Sequence, residues 1–410
     1  MTIPSQTENG AAPFVLREVA QHTVLVFAST LAIQATTFLI LASAALVLET
    51  DGFARLSLIV AATMLANGLF EFGLNVTSTK MYGDTSDEGF LRTAFLIRLL
   101  CVPLGCMLGL AVALAWGARD IGIGIGLGAA LNVWNGVRAS DQARQDYRSF
   151  VAASLSFAAL RALAGLDTLH ASGAPVLTAV AIYALPIAGA AFSTSARYAA
   201  EAFTGPRRPA RDMLWYGTHV YLSALAFIAI PYVPQFVIAS RLDATAVGTY
   251  GLILTFTGPI SLLVYSLRSV LLPKMLGGGS RFEEMMWSRR GFFAILALWV
   301  ALMAGGALLG YGLEIFYADK FPVIRSAFIM FFIGVSATAM IGLYSLSVHT
   351  LGMPQMSAVI GVAKFAILLA LLALTGSTLS EVIALTAIVM VVGEIALVAM
   401  LGTRRYGLAL

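Results

Sequence analysis

Long apolar runs fill most of the sequence, and short breaks containing charged residues, glycine or proline separate them. Most of these runs are about 20 residues long, which is the length a helix needs to cross the roughly 30 Å hydrocarbon core of a membrane. The pattern predicts an all-α polytopic membrane protein with about twelve transmembrane helices. We place the spans near 24–48, 55–77, 91–116, 120–138, 150–169, 175–198, 215–240, 246–272, 290–313, 323–347, 354–375 and 380–402.

One stretch between the sixth and seventh spans reads as a linker, because it contains two helix-breaking prolines and three arginines within residues 204–211. It divides the chain into two six-helix lobes. The predicted segments are a cytoplasmic N-terminal segment at 1–23, an N-terminal lobe at 24–200, a cytoplasmic linker at 201–214, a C-terminal lobe at 215–403 and a cytoplasmic tail at 404–410. The first apolar run is too long for a signal-peptide core, so we expect an uncleaved first span.

Composition leaves little room for soluble mass. Of 410 residues, 59% are hydrophobic and 11% are charged, and the mean hydropathy is +0.88. In a soluble domain of this size, about a quarter of the residues are charged and cover its surface. Twelve spans with short turns use nearly the whole length, so the sequence predicts a transporter rather than an enzyme.

The distribution of Lys and Arg predicts the orientation, because positive residues are retained on the cytoplasmic side of the membrane. Most of the 25 Lys and Arg residues are predicted to lie in loops on the side of the N-terminus, and these include Lys80, Arg92 and Arg98. The opposite loops and their flanks hold Arg55, Arg119, Arg241, Lys320 and Arg325. Both termini are therefore predicted to be cytoplasmic. The net charge of +4 then reflects this topology and contact with anionic lipid, and no nucleic-acid partner is expected.

A polar stripe marks the second span. Thr63, Asn67, Glu71 and Asn75 recur every four residues, which places them on one slowly drifting helix face. Such a stripe faces either other helices, through interhelical hydrogen bonds, or a water-filled cavity. We favour the cavity, because Glu71 is ionisable and ionisable groups at membrane depth are functional by default.

Other spans carry deep polar residues as well. Arg161 lies inside the fifth span and Lys364 inside the eleventh, and each must be paired, snorkelling or facing water. Two readings stay open for them, namely structural pairs (Arg161 with Asp167, Lys364 with Glu394) or contact with an anionic substrate. The candidate substrate-cavity residues are Gln34, Thr63, Asn67, Glu71, Asn75, Arg161, Gln235, Tyr265, Arg268 and Lys364. The candidate ion-coupling residues are Glu71, Asp167 and Glu394.

Several patterns are better explained by structure than by chemistry. The four histidines are scattered without ligand spacing, so no metal is predicted, and no motif calls for a cofactor. Gly122, Gly124, Gly126 and Gly128 lack the strand and the Gly-Lys-Ser/Thr of a phosphate loop. Their four-residue spacings, like that of Gly105 with Gly109, instead predict close helix packing.

Four short segments resemble one family, the bacterial polysaccharide flippases of the multidrug/oligosaccharidyl-lipid/polysaccharide exporter superfamily. LFEFGLNVTSTK at 69–80 resembles its signature of an acidic residue followed by x-Gly-Leu at the end of the second span. ASRLDATAVGTY at 239–250 resembles its entry to the eighth span, and LLPK at 271–274 follows at the exit. EIFYADKFP at 314–322 resembles its loop before the tenth span.

The resemblance implies a V-shaped central cavity lined by the first, second, seventh and eighth spans. It implies alternating access by which an undecaprenyl-diphosphate-linked oligosaccharide crosses the inner membrane for exopolysaccharide, capsule or O-antigen synthesis. A polysaccharide polymerase and other assembly proteins are the partners expected on this reading. The alternative is a cation-coupled drug or small-molecule exporter of the same superfamily, and a third reading is a membrane-embedded polymerase or acyltransferase.

Overall fold

The computed structural model describes residues 12–190, 203–277, 280–345, 347–350 and 354–405. All regular structure in these ranges is helical. The helices are α1 Ala12–Val47, α2 Thr50–Glu71, α3 Leu74–Thr85, α4 Glu88–Trp116, α5 Arg119–Ala143, α6 Tyr147–Ser172, α7 Pro175–Ala190, α8 Ala210–Arg241, α9 Ala244–Gly277, α10 Ser280–Trp287, α11 Arg289–Tyr317, α12 Ile324–Tyr344, α13 Ser347–Thr350, α14 Pro354–Leu374 and α15 Leu379–Arg405. Side chains are not described at 12–23, 190, 212, 216, 219–220, 223, 261–277, 280–283, 349–350, 354 and 404–405.

The predicted all-α membrane fold is confirmed. Within the described ranges, nine helical segments are long and apolar enough to cross a membrane, with α2 and α3 counted as one broken span. α5 and α9 are of similar length, and α7 is a shorter apolar helix. Every predicted span thus overlaps a helix of the described ranges, and the helices of the first six and of the last six spans form two bundles. The division of the chain at 201–214 stays a prediction.

Glycines bring the helices of the first bundle close together, as their spacing predicted. Gly109 of α4 and Gly122 of α5 lie backbone to backbone, so that a Cβ on either would collide with the other's carbonyl. On another face of α5, Gly124 and Gly128 lie against the backbone of α2 around Thr63. Close backbone approach is the main source of dispersion contact between helices in lipid.

The two bundles meet along two seams. α8 packs along α2 and α3, and α9 packs against α1 and α2. We call the end carrying loop 86–87 and the start of α1 the near end, and the end carrying turns 48–49 and 318–323 the far end. These seams put α1, α2, α8 and α9 at the centre of the molecule, the same four spans that the resemblance implied.

Asp87 ties the two bundles at the near end. Its carboxylate accepts a hydrogen bond of 2.7 Å from the backbone N–H of Gly89 and forms an ion pair with Arg208, just before α8. The hydrogen bond from Gly89 and then the Arg208 guanidinium lower the pKa of Asp87 below its ordinary value. Thr93 adds a further contact, since its hydroxyl accepts from the backbone N–H of Arg208 at 3.0 Å.

Candidate functional site

The second span is broken at its polar stripe. α2 ends at Glu71, Phe72 and Gly73 both take left-handed backbone conformations (φ 50° and 70°), and α3 starts at Leu74. Glycine is needed at position 73 for two reasons. Its left-handed conformation would strain any residue with a Cβ, and that Cβ would lie 2.7 Å from the carbonyl oxygen of Gly217 in α8. At about 1.5 Å per residue, the 22-residue α2 places the break about 33 Å from the far end, near the near-end edge of the hydrocarbon core.

Neighbouring helices satisfy the backbone carbonyls that the break releases. Asn132 of α5 is fully buried and donates to the carbonyl of Phe70 at 2.7 Å. The Tyr221 hydroxyl of α8 donates to the carbonyl of Leu69 at 2.9 Å. Irregular backbone in a membrane persists only where protein or water replaces the lost hydrogen bonds. The break is therefore a supported feature of the fold.

A three-residue group, Glu71, Asn75 and Arg98, surrounds the break. Glu71 accepts hydrogen bonds from the backbone and the side chain of Asn75, which places its carboxylate at the N-terminus of α3. Arg98 of α4 donates to Asn75 Oδ1 at 2.6 Å and interacts electrostatically with Glu71. Both the start of a helix and a guanidinium stabilise a carboxylate. The group therefore neutralises its own charge.

Arg98 and Arg92 correct the sequence analysis, which counted both with the loops of the N-terminal side. Both lie within α4, and Arg98, two turns beyond Arg92, is only 1% exposed. Its side chain fits against Gly136 of α5, where any Cβ would approach Arg98 Cδ to 2.6 Å. The spacing of charges showed no partner for Arg98, because its partners Asn75 and Glu71 lie on α3 and at the end of α2. An Arg six residues inside an apolar run was the signal that could have identified it.

The remaining stripe residues divide between two environments. Thr63 is fully buried beneath α5, and its hydroxyl donates to the carbonyl of Ile59 in its own helix at 2.7 Å. Asn67 is half-buried and accepts a hydrogen bond of 3.0 Å from Asn135 of α5. A four-residue step rotates a helix by about 40° beyond a full turn, so the stripe drifts from one neighbour to the next. The four residues therefore do not share one surface.

A group of polar side chains lies where α1, α2 and α5 approach one another. α1 packs mainly on α6 and α2 mainly on α5, so α1 and α2 make little contact with each other. Across this gap, Arg138 of α5 donates to the hydroxyl of Thr30 on α1 at 3.4 Å, one helical turn from the Asn67 and Asn135 pair. Gln34 of α1 is exposed, and the other four are half-buried. We call these residues the N-lobe cleft: Thr30, Gln34, Asn67, Asn135 and Arg138.

Arg161 lies deeper, near the middle of α6 and about 16 Å from its far end. It is 3% exposed, and its Nε donates to the carbonyl of Ile182 at 3.1 Å while a terminal nitrogen donates to the Thr37 hydroxyl. The guanidinium also lies over the rings of Phe157 and Tyr183, 4.3 Å and 5.1 Å from their centroids. Within the described chain, Arg161 contacts only neutral groups.

The considered pairing of Arg161 with Asp167 is not formed, since Asp167 lies on the exposed side of α6. The second considered pairing is formed. Lys364 Nζ lies 2.8 Å from Glu394 Oε1 across α14 and α15, and the two side chains are 14% and 12% exposed. The two deep cations thus differ in kind, although their sequence contexts look alike.

The other candidates belong to the seam or lie outside the described side chains. Gln235 of α8 is 1% exposed and donates to the Ser57 hydroxyl of α2 at 2.9 Å, so it joins the two bundles. Tyr265 and Arg268 fall among the side chains that are not described. The ten predicted residues therefore do not form one set, and their role in substrate binding stays a prediction.

An apolar hollow of about 360 Å³ lies beside the seam between α1 and α9. Phe38 and Phe256 meet edge to face at its wall, with centroids 4.9 Å apart, and Leu302 and Phe332 continue the lining. Its walls are almost entirely hydrocarbon, so it suits an alkyl or prenyl chain and not a sugar. α1 thus has polar side chains toward the N-lobe cleft and an aromatic one toward this hollow.

No protein-family model and no curated protein matches this sequence. Solved structures do match its fold. An inward-facing multidrug-resistance MATE family transporter of the MOP superfamily shares 15% identity over 91% of this chain and 95% of its own, with a TM-score of 0.67. A MOP superfamily transporter from Pyrococcus furiosus, described as having a binding pocket of reversed polarity, shares 14% identity over 93% of this chain and 95% of its own, with a TM-score of 0.60. An outward-facing multidrug-resistance MATE family transporter shares 14% identity over 95% of this chain and 96% of its own, with a TM-score of 0.56. The chain therefore has the fold of MATE-type transporters of the MOP superfamily.

Proposed function

We propose that this protein is a flippase that moves a lipid-linked oligosaccharide, carried on undecaprenyl diphosphate, across the bacterial inner membrane for polysaccharide synthesis. One observation carries the proposal. Arg161 is buried at mid-membrane among neutral partners, next to a cleft of amides and a second arginine. A permanently charged guanidinium held at this depth favours an anionic ligand such as a diphosphate.

The balance of deep charges supports an anionic cargo. Glu71 interacts with Arg98 and Asn75, and Glu394 forms an ion pair with Lys364. Both acids therefore have cationic partners, whereas the partners of Arg161 are a carbonyl, a hydroxyl and two aromatic faces. A carrier of cationic drugs needs the opposite balance. The Pyrococcus furiosus transporter, described by its reversed pocket polarity, supports the view that polarity varies within this fold.

The cleft and the hollow together fit an amphiphile. The amides of Gln34, Asn67 and Asn135 supply donors and acceptors of the kind that bind sugar hydroxyls. The apolar hollow on the other side of α1 offers hydrocarbon contact for a lipid chain. If the sugar head group crosses through the protein while the prenyl chain stays in lipid, the chain of about 55 carbons does not have to enter a polar passage. The sugars likewise do not have to cross hydrocarbon.

The arrangement supports an inward-facing state with cytoplasmic termini. The fold is more similar to the inward-facing transporter than to the outward-facing one, with TM-scores of 0.67 and 0.56. The near end holds most of the described Lys and Arg residues. On this proposal the near end is cytoplasmic, and the cargo enters there from its site of synthesis. A polysaccharide polymerase on the other side of the membrane is the expected partner.

The decisive test is a deletion strain complemented with wild-type protein, R161M or the K364M/E394L pair. Surface polysaccharide and lipid-linked precursor are measured in each. We expect loss of polymer with accumulation of precursor in the deletion and R161M strains, and normal levels in the other two. Normal polymer without accumulated precursor in the deletion strain would refute the proposal.

A cation-coupled drug exporter is the second candidate, favoured by the drug-transporting names of the structural neighbours. On this reading Glu71 is the main coupling residue, because Asp167 is exposed and Glu394 is paired with Lys364. Overexpression would then lower drug susceptibility. Unchanged susceptibility to a panel of cationic drugs argues against this candidate and leaves the flippase proposal intact.

Coupling by Glu71 is also compatible with the flippase. Protonation or cation binding at its carboxylate would weaken its contacts with Asn75 and Arg98 and loosen the break in the second span. We expect E71Q to abolish the dependence of transport on the ion gradient, and D167N, on the exposed face of α6, to leave it unchanged. If E71Q retains the gradient dependence, Glu71 has no coupling role.

A further inference from the structure

The segment between α11 and α12 forms a tight turn at the far end. The backbone N–H groups of Lys320 and Phe321 both donate to the carbonyl of Tyr317, at 3.1 Å and 2.8 Å. This turn fixes three side chains, those of Tyr317, Lys320 and Phe321, which project toward the N-terminal bundle. They lie within the 314–322 segment, for which neither the cleft nor the hollow provides a role.

Lys320 binds the end of α1 in the other bundle. Its Nζ lies 2.8 Å from the carbonyl oxygen of Leu48, 3.3 Å from that of Ala45 and 2.5 Å from that of Leu46. The last carbonyls of a helix lack partners within the helix and carry the negative end of its dipole. A compact ammonium with three donors suits three converging carbonyls better than a planar guanidinium does.

Two neighbours extend the same contact. The Tyr317 hydroxyl donates to the carbonyl of Ala42 at 3.1 Å, one turn earlier in α1. The fully buried Phe321 lies edge to face with Phe53 of α2, with centroids 5.7 Å apart. Polar and aromatic contacts thus join the bundles at one point, directly beyond the seam where Gln235 meets Ser57.

Three other far-end cations make contacts within their own bundles. Arg55 pairs with Asp120 of the first bundle, Arg325 pairs with Glu314 of the second, and Arg241 donates to the carbonyl of Leu372 in the second. Among the far-end Lys and Arg contacts that the structure describes, that of Lys320 is the one that crosses between bundles. A strong contact across a surface that must separate is suited to control that separation.

We infer that Lys320 is a latch that holds the far end closed by capping α1, with Tyr317 as its auxiliary. Opening of the far end requires the ammonium to leave the three carbonyls, which then need water or lipid head groups as partners. The latch rests on the structure alone; its role in releasing cargo on the far side rests on the proposed transport function.

The test measures the far-end opening directly. Spin labels are attached at R119C of the first bundle and S240C of the second, both exposed far-end positions, in a C101A/C106S background. Double electron–electron resonance in lipid nanodiscs gives the distance distribution without any substrate. We expect K320M to raise the ratio of open to closed populations about tenfold, as loss of a charged multidentate hydrogen-bonding group implies. Y317F loses one neutral hydrogen bond, so we expect a rise of about threefold.

R325Q is the matched control, because it removes a cation from the same turn region without touching α1. We expect it to leave the distribution unchanged. If K320M and Y317F both give the wild-type distribution, or if R325Q opens the far end as far as K320M does, the latch is overturned. Failure of the flippase proposal would appear instead as normal precursor levels in the deletion strain, whatever the spin-label distances are.

Discussion

Arg161 and Lys364 occupy equivalent depths in the two bundles, since each lies about 15 Å from the far end of its helix. Lys364 contacts Glu394 at 2.8 Å, whereas Arg161 contacts a carbonyl, a hydroxyl and two rings. A buried ion pair satisfies itself, and its removal as a pair is often tolerated. A buried cation with neutral partners keeps its net charge, which is available to an anion. The comparison indicates a structural role for Lys364 and supports the proposed anion-binding role of Arg161.

The largest effect is expected from breaking the Lys364 pair. K364M leaves the largely buried Glu394 without its partner between α14 and α15, which should lower the free energy of unfolding by about 3–5 kcal/mol. K364M/E394L removes both charges and should recover most of that loss. Thermal unfolding in detergent measures both variants. If K364M is as stable as wild type, the pair is not a structural staple and the contrast with Arg161 disappears.

For Arg161 we expect a large effect on transport and a small effect on stability. R161M should reduce transport of the lipid-linked precursor about 100-fold, corresponding to about 2.7 kcal/mol for a lost charged contact with cargo. Its stability should change by about 1 kcal/mol or less, because removing a buried charge offsets two lost hydrogen bonds. Precursor flipping in proteoliposomes and thermal unfolding are measured on the same preparation. Full transport by R161M would contradict the binding role.

Arg98 is the intermediate case, with an amide partner and an acid nearby. G136A places a Cβ 2.6 Å from Arg98 Cδ, so the buried side chain must move, at a cost of about 1–3 kcal/mol. G126A in the same helix is the control, since its Cβ meets only Cys106 Sγ at 3.7 Å and alanine favours a helix. Unfolding free energies should fall for G136A and hold or rise for G126A. Equal stability of the two variants would show that Arg98 is not tightly held.

The sequence predicted the fold because the membrane imposes a strong rule on it. Each apolar run of about 20 residues can satisfy its backbone only as a helix, so twelve runs predict twelve helices. The glycine spacings predicted for a similar reason that α4 and α5 pack closely against other helices, without saying which ones. Both signals are local to one helix and need no knowledge of its neighbours.

The site depended on contacts that no local signal specifies. Arg161 donates a hydrogen bond to Thr37 of α1 and does not pair with Asp167 of its own helix. Arg98 was predicted to lie in a loop, although α3 and α5 enclose it. The stripe from Thr63 to Asn75 was predicted as one surface, but the break at Phe72 and Gly73 and the drift of the helix divided it. Partners of buried polar groups are set by helix packing, which a single sequence does not display.

Asp87 and Arg208 give the smallest effect and the last test of the comparison, because this interbundle pair is exposed to water rather than buried. Exposed pairs contribute little, so D87N should weaken the near-end contact only slightly. Since the folded pKa of Asp87 lies below its ordinary value, its contribution is fully present above that ordinary value, near pH 4, and is lost as the pH falls through the lower folded pKa. Hydrogen exchange in residues 203–211 should therefore be faster in D87N than in wild type at pH 7, and the difference should shrink as the pH falls below about 4 and through the lowered folded pKa. D146N is the control, because Asp146 accepts hydrogen bonds only from Ser149 within its own cap. A difference between D87N and wild type that does not shrink as the pH falls below about 4 would mean that the carboxylate charge is not what holds the near end together.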